Sequence, residues 1–188
     1  MIITPPKYRR VPYKLQGLSW WQQLIVVMRT PPQLELLEDW IITLANGLQI
    51  IVPRGFITDG ASIPAWLWWL ISPFGPLLEG AILHDFGYQH GYLLAVYSLF
   101  CPYNIMSLRM RGQYPDIFTT TIPVFVGEGQ DFFDNLLRRV VIEASGATVQ
   151  AGAAYYALRK FGHVAWNRYR ERGPAAYNTN SLFLPGVP

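Results

Sequence analysis

Apolar runs broken by proline open the chain, and clearer periods follow in its middle and last thirds. Within Trp20 to Met28, the run Leu24-Ile25-Val26-Val27-Met28 is apolar and partly β-branched, which predicts a strand or a buried segment. Pro5, Pro6, Pro12, Pro31 and Pro32 surround it, with Arg9, Arg10 and Lys14, so residues 1–39 read as an extended arm and a first strand. Trp40 to Leu44 and Leu48 to Val52 then flank Ala45-Asn46-Gly47. Asn-Gly suits the two-residue turn in which both turn residues take positive φ, so a β-hairpin is expected here. Pro53 and Gly55 end its second strand. Phe56 to Thr58 continue as a short extended piece that delivers Asp59 to an Asp-Gly turn. Ser62 can cap a short helix from Ala65 to Ile71. Trp66, Trp68 and Trp69 cannot all face one side of that helix, which leaves one to meet a partner.

Pro76 can open a helix from Leu77 to Gln89, with Leu77, Ala81, His84 and Tyr88 on one face. From Gly91 to Gly129 the helical period disappears. Thr119 to Val126 is strand-like through its β-branched residues, and the preceding stretch carries turn signals with Arg109 and Arg111. Residues 91–129 therefore read as an inserted loop or hairpin, and insertions of that length serve interaction or function. Asp131 to Ala144 carries Phe133, Leu136, Leu137, Val140 and Val141 at helical spacing, and Ser145-Gly146 ends it. Thr148 to about Arg170 predicts a second helix, stopped by Gly173-Pro174. The expected fold is α+β: an N-terminal hairpin or small antiparallel sheet packed against a C-terminal helical bundle. One domain spans residues 40–172. Residues 173–188, with Leu182, Phe183, Leu184 and Val187, are too apolar for a solvated linker and read as a docking arm.

Composition sharpens this picture in one respect. Charged residues make up 14% of the 188, against the roughly 25% usual for a soluble domain. Much of the surface is then expected to meet other protein. A net charge of +3 is too weak to argue for nucleic acid. Cys101 is the single cysteine, which excludes an internal disulfide and fits a reducing compartment. MIITPPKYRR lacks the order of a signal peptide, and Pro73, Gly75, Pro76 and Glu79 interrupt the best candidate membrane span.

Two polar clusters stand out in apolar surroundings: Thr58-Asp59-Gly60-Ala61-Ser62, and His84-Asp85 with Tyr88. Buried charges must be paired or bound, so Asp59 and His84 are expected to converge. The ordinary alternative is a core histidine bonded to a backbone carbonyl. As chemistry, Asp59, His84, Asp85 and Asp134 suit a divalent metal such as zinc with an open position for water. Ser62, His84 and Asp59, Asp85 or Asp131 equally suit a nucleophilic relay. Neither spacing is diagnostic, and the chain has no His-Glu-x-x-His, Gly-x-Ser-x-Gly or phosphate-loop motif.

The blocks GFITDGASIP, AILHDFGY and YYALRKFG with Trp166 resemble a phage and prophage family, domain of unknown function 1353. The matching positions are Thr58, Asp59, Ser62, Pro64, His84, Asp85, Tyr88, Tyr156, Gly162 and Trp166, over roughly Thr43 to Trp166. Members commonly carry an Ala-Asp helix between the last two blocks. Here Asp131 and Asp134 compete for that place. The resemblance implies a phage origin and no established reaction. The leading expectation is a virion structural protein of the tail, baseplate or head-to-tail region. It would be oligomeric, in a ring or layer, and meet other virion subunits through both terminal arms and the 91–129 insertion. It would neither span a membrane nor bind nucleic acid. The alternative is a phage-encoded hydrolase acting on the bacterial envelope, metal-dependent or built on a Ser/His/Asp relay.

Overall fold

The structure, a computed structural model, describes residues 2–29, 33–58, 75–100 and 117–172. In chain order the elements are β1 (Ile2–Ile3), β2 (Tyr8–Arg10), α1 (Trp20–Arg29), β3 (Leu34–Leu36), β4 (Trp40–Thr43), β5 (Gln49–Val52) and β6 (Ile57–Thr58). There follow α2 (Leu78–His90), β7 (Leu93–Phe100), β8 (Ile117–Val124), α3 (Gln130–Ser145) and α4 (Thr148–Glu171). One antiparallel sheet runs β1-β4-β5-β7-β8, and a smaller one runs β2-β3-β6. The fold is α+β, with the small sheets against a C-terminal helical region.

The hairpin forms where expected, with Trp40 opposite Val52 and Thr43 opposite Gln49. Its turn is not the two-residue kind. The Gly47 N–H donates to the Leu44 carbonyl at 2.9 Å, and the Leu44 N–H donates to the Leu48 carbonyl at 2.8 Å. Of the loop residues only Gly47 takes positive φ, at 82°. This is a three-residue loop, a tight turn followed by one left-handed residue. Asn46 serves differently: its side-chain oxygen accepts the Leu48 N–H at 3.1 Å.

Three expectations need correction. Trp20 to Met28 is helix, not strand. Gln22 reaches back to accept the Ser19 N–H at 2.9 Å, the reciprocal half of a Ser-x-x-Gln capping box. That local bonding outweighs the β-branched composition. Second, residues 1–39 are more than an extended arm and one strand, because residues 2–10 join the domain's own sheets. Ile2–Ile3 pair with β4, Tyr8–Arg10 pair with β3, and the Trp40 indole donates to the Thr4 carbonyl at 2.6 Å. Pro5 and Pro6 fall between the two strands, where no ladder donor is needed. Third, of the inserted loop or hairpin expected over 91–129 the structure shows a hairpin, and it belongs to the main sheet. β7 and β8 form a long hairpin whose base joins β5, with Ile50 opposite Ala95, and Leu93, Leu94 and Ala95 are buried in the main core. Residues 101–116, with Arg109 and Arg111, lie outside the described residues. So do the Ala65 to Ile71 helix with its three tryptophans and the arm 173–188.

α2 is the axle of the domain. It is buried on every side except at Glu79 and Gln89, so its apolar pattern cannot define one face. One side meets Ile50, Val52 and Leu94 of the sheet together with Phe133, Leu136 and Val140 of α3. The other joins Leu137, Val141, Ala151, Ala154 and Leu158 of α3 and α4. The α2–α3 approach is close enough that a methyl group on Gly87 would sit 2.2 Å from the Phe133 ring. One on Gly80 would sit 2.7 Å from Val141. Gly91 closes α2 in the left-handed conformation, its N–H donating to the Gly87 carbonyl at 2.8 Å.

Candidate functional site

Three elements deliver one buried polar cluster. α2 supplies His84, Asp85 and Tyr88, α3 supplies Gln130 and Asp134, and β6 supplies Thr58. His84 is wholly buried, with Asp85 Oδ1 3.2 Å from its Nδ1 and Asp134 Oδ1 3.0 Å from its Nε2. A carboxylate on each ring nitrogen makes both nitrogens donors, which is the imidazolium form. Burial alone would lower the His84 pKa. The hydrogen bonds and negative charges of Asp134 and Asp85 outweigh it and hold the group above its ordinary value.

The carboxylates are themselves held. Thr58 Oγ1 donates a short hydrogen bond to Asp85 Oδ2. The Tyr88 hydroxyl donates to Asp134 Oδ1 at 2.6 Å, and Gln130 Nε2 donates to Asp134 Oδ2 at 3.2 Å. The same Gln130 amide donates to the Leu158 carbonyl at 3.1 Å, tying the cluster to α4. Arg159 approaches Asp134 Oδ2 at 3.6 Å from a half-exposed position, so solvent screens that pair. The Tyr88 hydroxyl is held far above its ordinary pKa by burial, then by the charge and hydrogen bond of Asp134.

α4 closes the cluster by shape. A methyl group on Gly162 would lie 2.8 Å from the Tyr88 hydroxyl, so glycine keeps that space open. Trp166 meets the Tyr88 ring edge-on at 5.2 Å. Arg170 lies over Trp166 at 4.5 Å and donates to the Tyr88 carbonyl, capping the last turn of α2. Burial lowers the Arg170 pKa.

Of the residues singled out from sequence, His84, Asp85, Asp134, Tyr88 and Thr58 come together. Asp131 does not. It is exposed three residues earlier on α3 and lines a separate cleft of about 510 Å³ with Leu44, Asn46, Phe125, Arg139 and Glu143. Asp134 rather than Asp131 reaches His84, because of which face of α3 meets α2. Tyr156 is exposed on α4, apart from the cluster. Asp59, Ser62 and Pro64 lie outside the described residues, and with them the expected convergence of Asp59 on His84. His84 is bonded to carboxylates rather than to a backbone carbonyl. Gln130 and Arg170 escaped the sequence reading. Gln130 had a legible signal, since it stands four residues before Asp134 on one helix face. Arg170 had none.

The geometry limits the chemistry. A nitrogen that donates to a carboxylate has no lone pair left for a metal ion or for a nucleophile's proton. With both ring nitrogens of His84 against carboxylates, ligating zinc or acting as the base of a relay would require one of those contacts to break. Among the described residues no group of three or more His, Cys, Asp or Glu is disposed to hold a metal ion. What the cluster does is lock α2, α3 and β6 together through one buried cation between two anions.

No solved structure is significantly similar to the chain. The uncharacterized protein y4jT of Sinorhizobium fredii (strain NBRC 101917 / NGR234) is 42% identical over 57 residues, 29% of this chain and 17% of that protein. The chain therefore matches less than a fifth of that relative's length. Residues 34–158, which include Thr58, His84, Asp85, Tyr88, Gln130 and Asp134, match the family described as "Protein of unknown function (DUF1353)", and the chain belongs to that family.

Proposed function

We propose that the chain is a bacteriophage virion structural protein of the tail, baseplate or head-to-tail region. It acts through protein–protein assembly contacts, and the His84 cluster is an internal brace. The observation that carries this reading is the closure of His84: wholly buried, with a carboxylate on each ring nitrogen. A reaction centre needs a group that substrate can reach. The surface supports the same reading. Val149, Tyr156 and Val164 stand exposed along α4, and large apolar side chains in water favour burial against a partner. The low share of charged residues points the same way.

Mass spectrometry and cryo-EM of purified particles from the phage or prophage that encodes the chain test this. The expected result is the chain in the particle in multiple copies. Its absence from particles overturns the reading. The hydrolase alternative has its own check. Release of soluble fragments from purified cell-wall material by the wild-type chain, abolished in a folded His84→Gln variant, would put a reaction in place of the brace.

A further inference from the structure

The connection between β2 and β3 leaves and rejoins the body at one point, where the Val11 N–H donates to the Gln33 carbonyl at 2.9 Å. α1 stands inside this excursion, and no other described element packs extensively against it. Its helicity is local, set by the Ser19–Gln22 box and by Gln23 Nε2 donating to the Leu18 carbonyl at 2.9 Å.

The polarity of α1 is inverted. Trp20 is 78% and Trp21 50% exposed, and Leu24, Ile25 and Val27 are exposed with them. Gln22, Gln23 and Val26 are the half-buried positions. At about 100° per residue the five apolar side chains fall on one side of the helix, and that side faces away from the protein. A contiguous apolar stripe turned to solvent marks an interface.

Charge identifies what covers it. Residues 1–33 contain Lys7, Arg9, Arg10, Lys14 and Arg29 and no Asp or Glu. Lys7 and Arg9 are partnered by Glu38 and Glu35, while Arg10 and Lys14 remain exposed beside the excursion. A second copy seated on α1 would bring like charges together. An anionic lipid surface answers both features at once: its headgroups attract the cations, and its interfacial zone accepts tryptophan and leucine from a helix lying in the plane. No described helix is long and apolar enough to cross a membrane, so α1 can only lie on one.

We propose that α1, with Arg10 and Lys14, is a peripheral anchor that docks the chain on anionic lipid. The inference does not depend on the assembly reading. The test is co-sedimentation of the full chain with vesicles of phosphatidylcholine alone and of phosphatidylcholine with phosphatidylglycerol in equal parts. The expected result is binding to the mixed vesicles. It should fall about tenfold on pure phosphatidylcholine, in Trp20→Ser/Trp21→Ser and in Arg10→Gln/Lys14→Gln. Raised salt should weaken wild-type binding, a reading that needs no variant. Absence of binding, or binding indifferent to both variants, overturns the proposal. So does lipid-free self-association that the double tryptophan variant abolishes, because a second copy then covers the stripe.

Discussion

The Asp134 carboxylate meets His84 Nε2 at 3.0 Å across the seam between α2 and α3, fifty residues apart in sequence. Asp85 meets the opposite nitrogen of the same ring at 3.2 Å. His84 thus touches both buried carboxylates at once, and the stability of the domain should depend on it.

Replacing His84 with glutamine removes the cation while both carboxylates stay in place. Breaking a buried ion pair from one side costs about 3–5 kcal/mol. Urea unfolding of His84→Gln should show a loss of that order with an unchanged denaturant slope. A loss below about 1 kcal/mol means the cluster is not a brace.

The pH dependence has a definite sign. The folded His84 pKa is raised above the ordinary 6.5. Its contribution is thus complete below the unfolded value and is lost as pH rises through the folded one. The stability gap between wild type and His84→Gln should be widest on the acid side of neutrality and narrow in alkaline buffer. Unfolding free energies of both proteins across that range decide the matter. A gap that grows with pH contradicts an imidazolium between carboxylates.

Tyr88→Phe keeps the ring against Trp166 and removes only the donor to Asp134. A hydrogen bond to a charged group contributes about 1.5–3 kcal/mol, so a loss in that range is expected. Because burial and Asp134 raise the Tyr88 pKa, its phenol should ionise far above its ordinary range. Absorbance titration of wild type should show a step at alkaline unfolding that is missing in Tyr88→Phe.

Gly87→Ala would drive a methyl group into the Phe133 ring, which sits 2.2 Å from where the new carbon lies. Overpacking of this kind costs about 1–3 kcal/mol. Combining it with Phe133→Leu should cost less than the sum of the two single changes, because the leucine vacates the space. Strictly additive melting data would place the strain elsewhere.

Deleting residues 1–10 should destabilise the isolated domain. The deletion strips β4 and β3 of their edge partners and leaves the buried Trp40 indole without the Thr4 carbonyl. An unsatisfied buried donor alone costs about 1–3 kcal/mol. An unchanged melting temperature would restore the picture of a free N-terminal arm.

The legible parts of the fold are those whose causes sit within a few residues. The Asn46-Gly47 hairpin, the Gly146 stop after α3 and the helical spacing of Phe133, Leu136, Leu137, Val140 and Val141 all depend on local turn chemistry or on one helix's own period. The strand expected at Trp20 failed for a related reason. The Ser19–Gln22 box is as local as the β-branched run, and its capping bonds outweigh that composition.

Residue type alone determined that His84 and Asp85, set in so apolar a stretch, needed partners. Which partners they found was decided only by tertiary structure. Asp131 and Asp134 differ by less than one helical turn, and both are carboxylates. Only the face of α3 that packs on Gly80 and Gly87 of α2 puts Asp134 beside the imidazole and leaves Asp131 in water. Gly162 and Arg170 likewise acquire their roles from how α4 lies over Tyr88. Local bonds are set by neighbours in sequence, whereas a buried charge is matched by whatever the packing of distant faces brings to it.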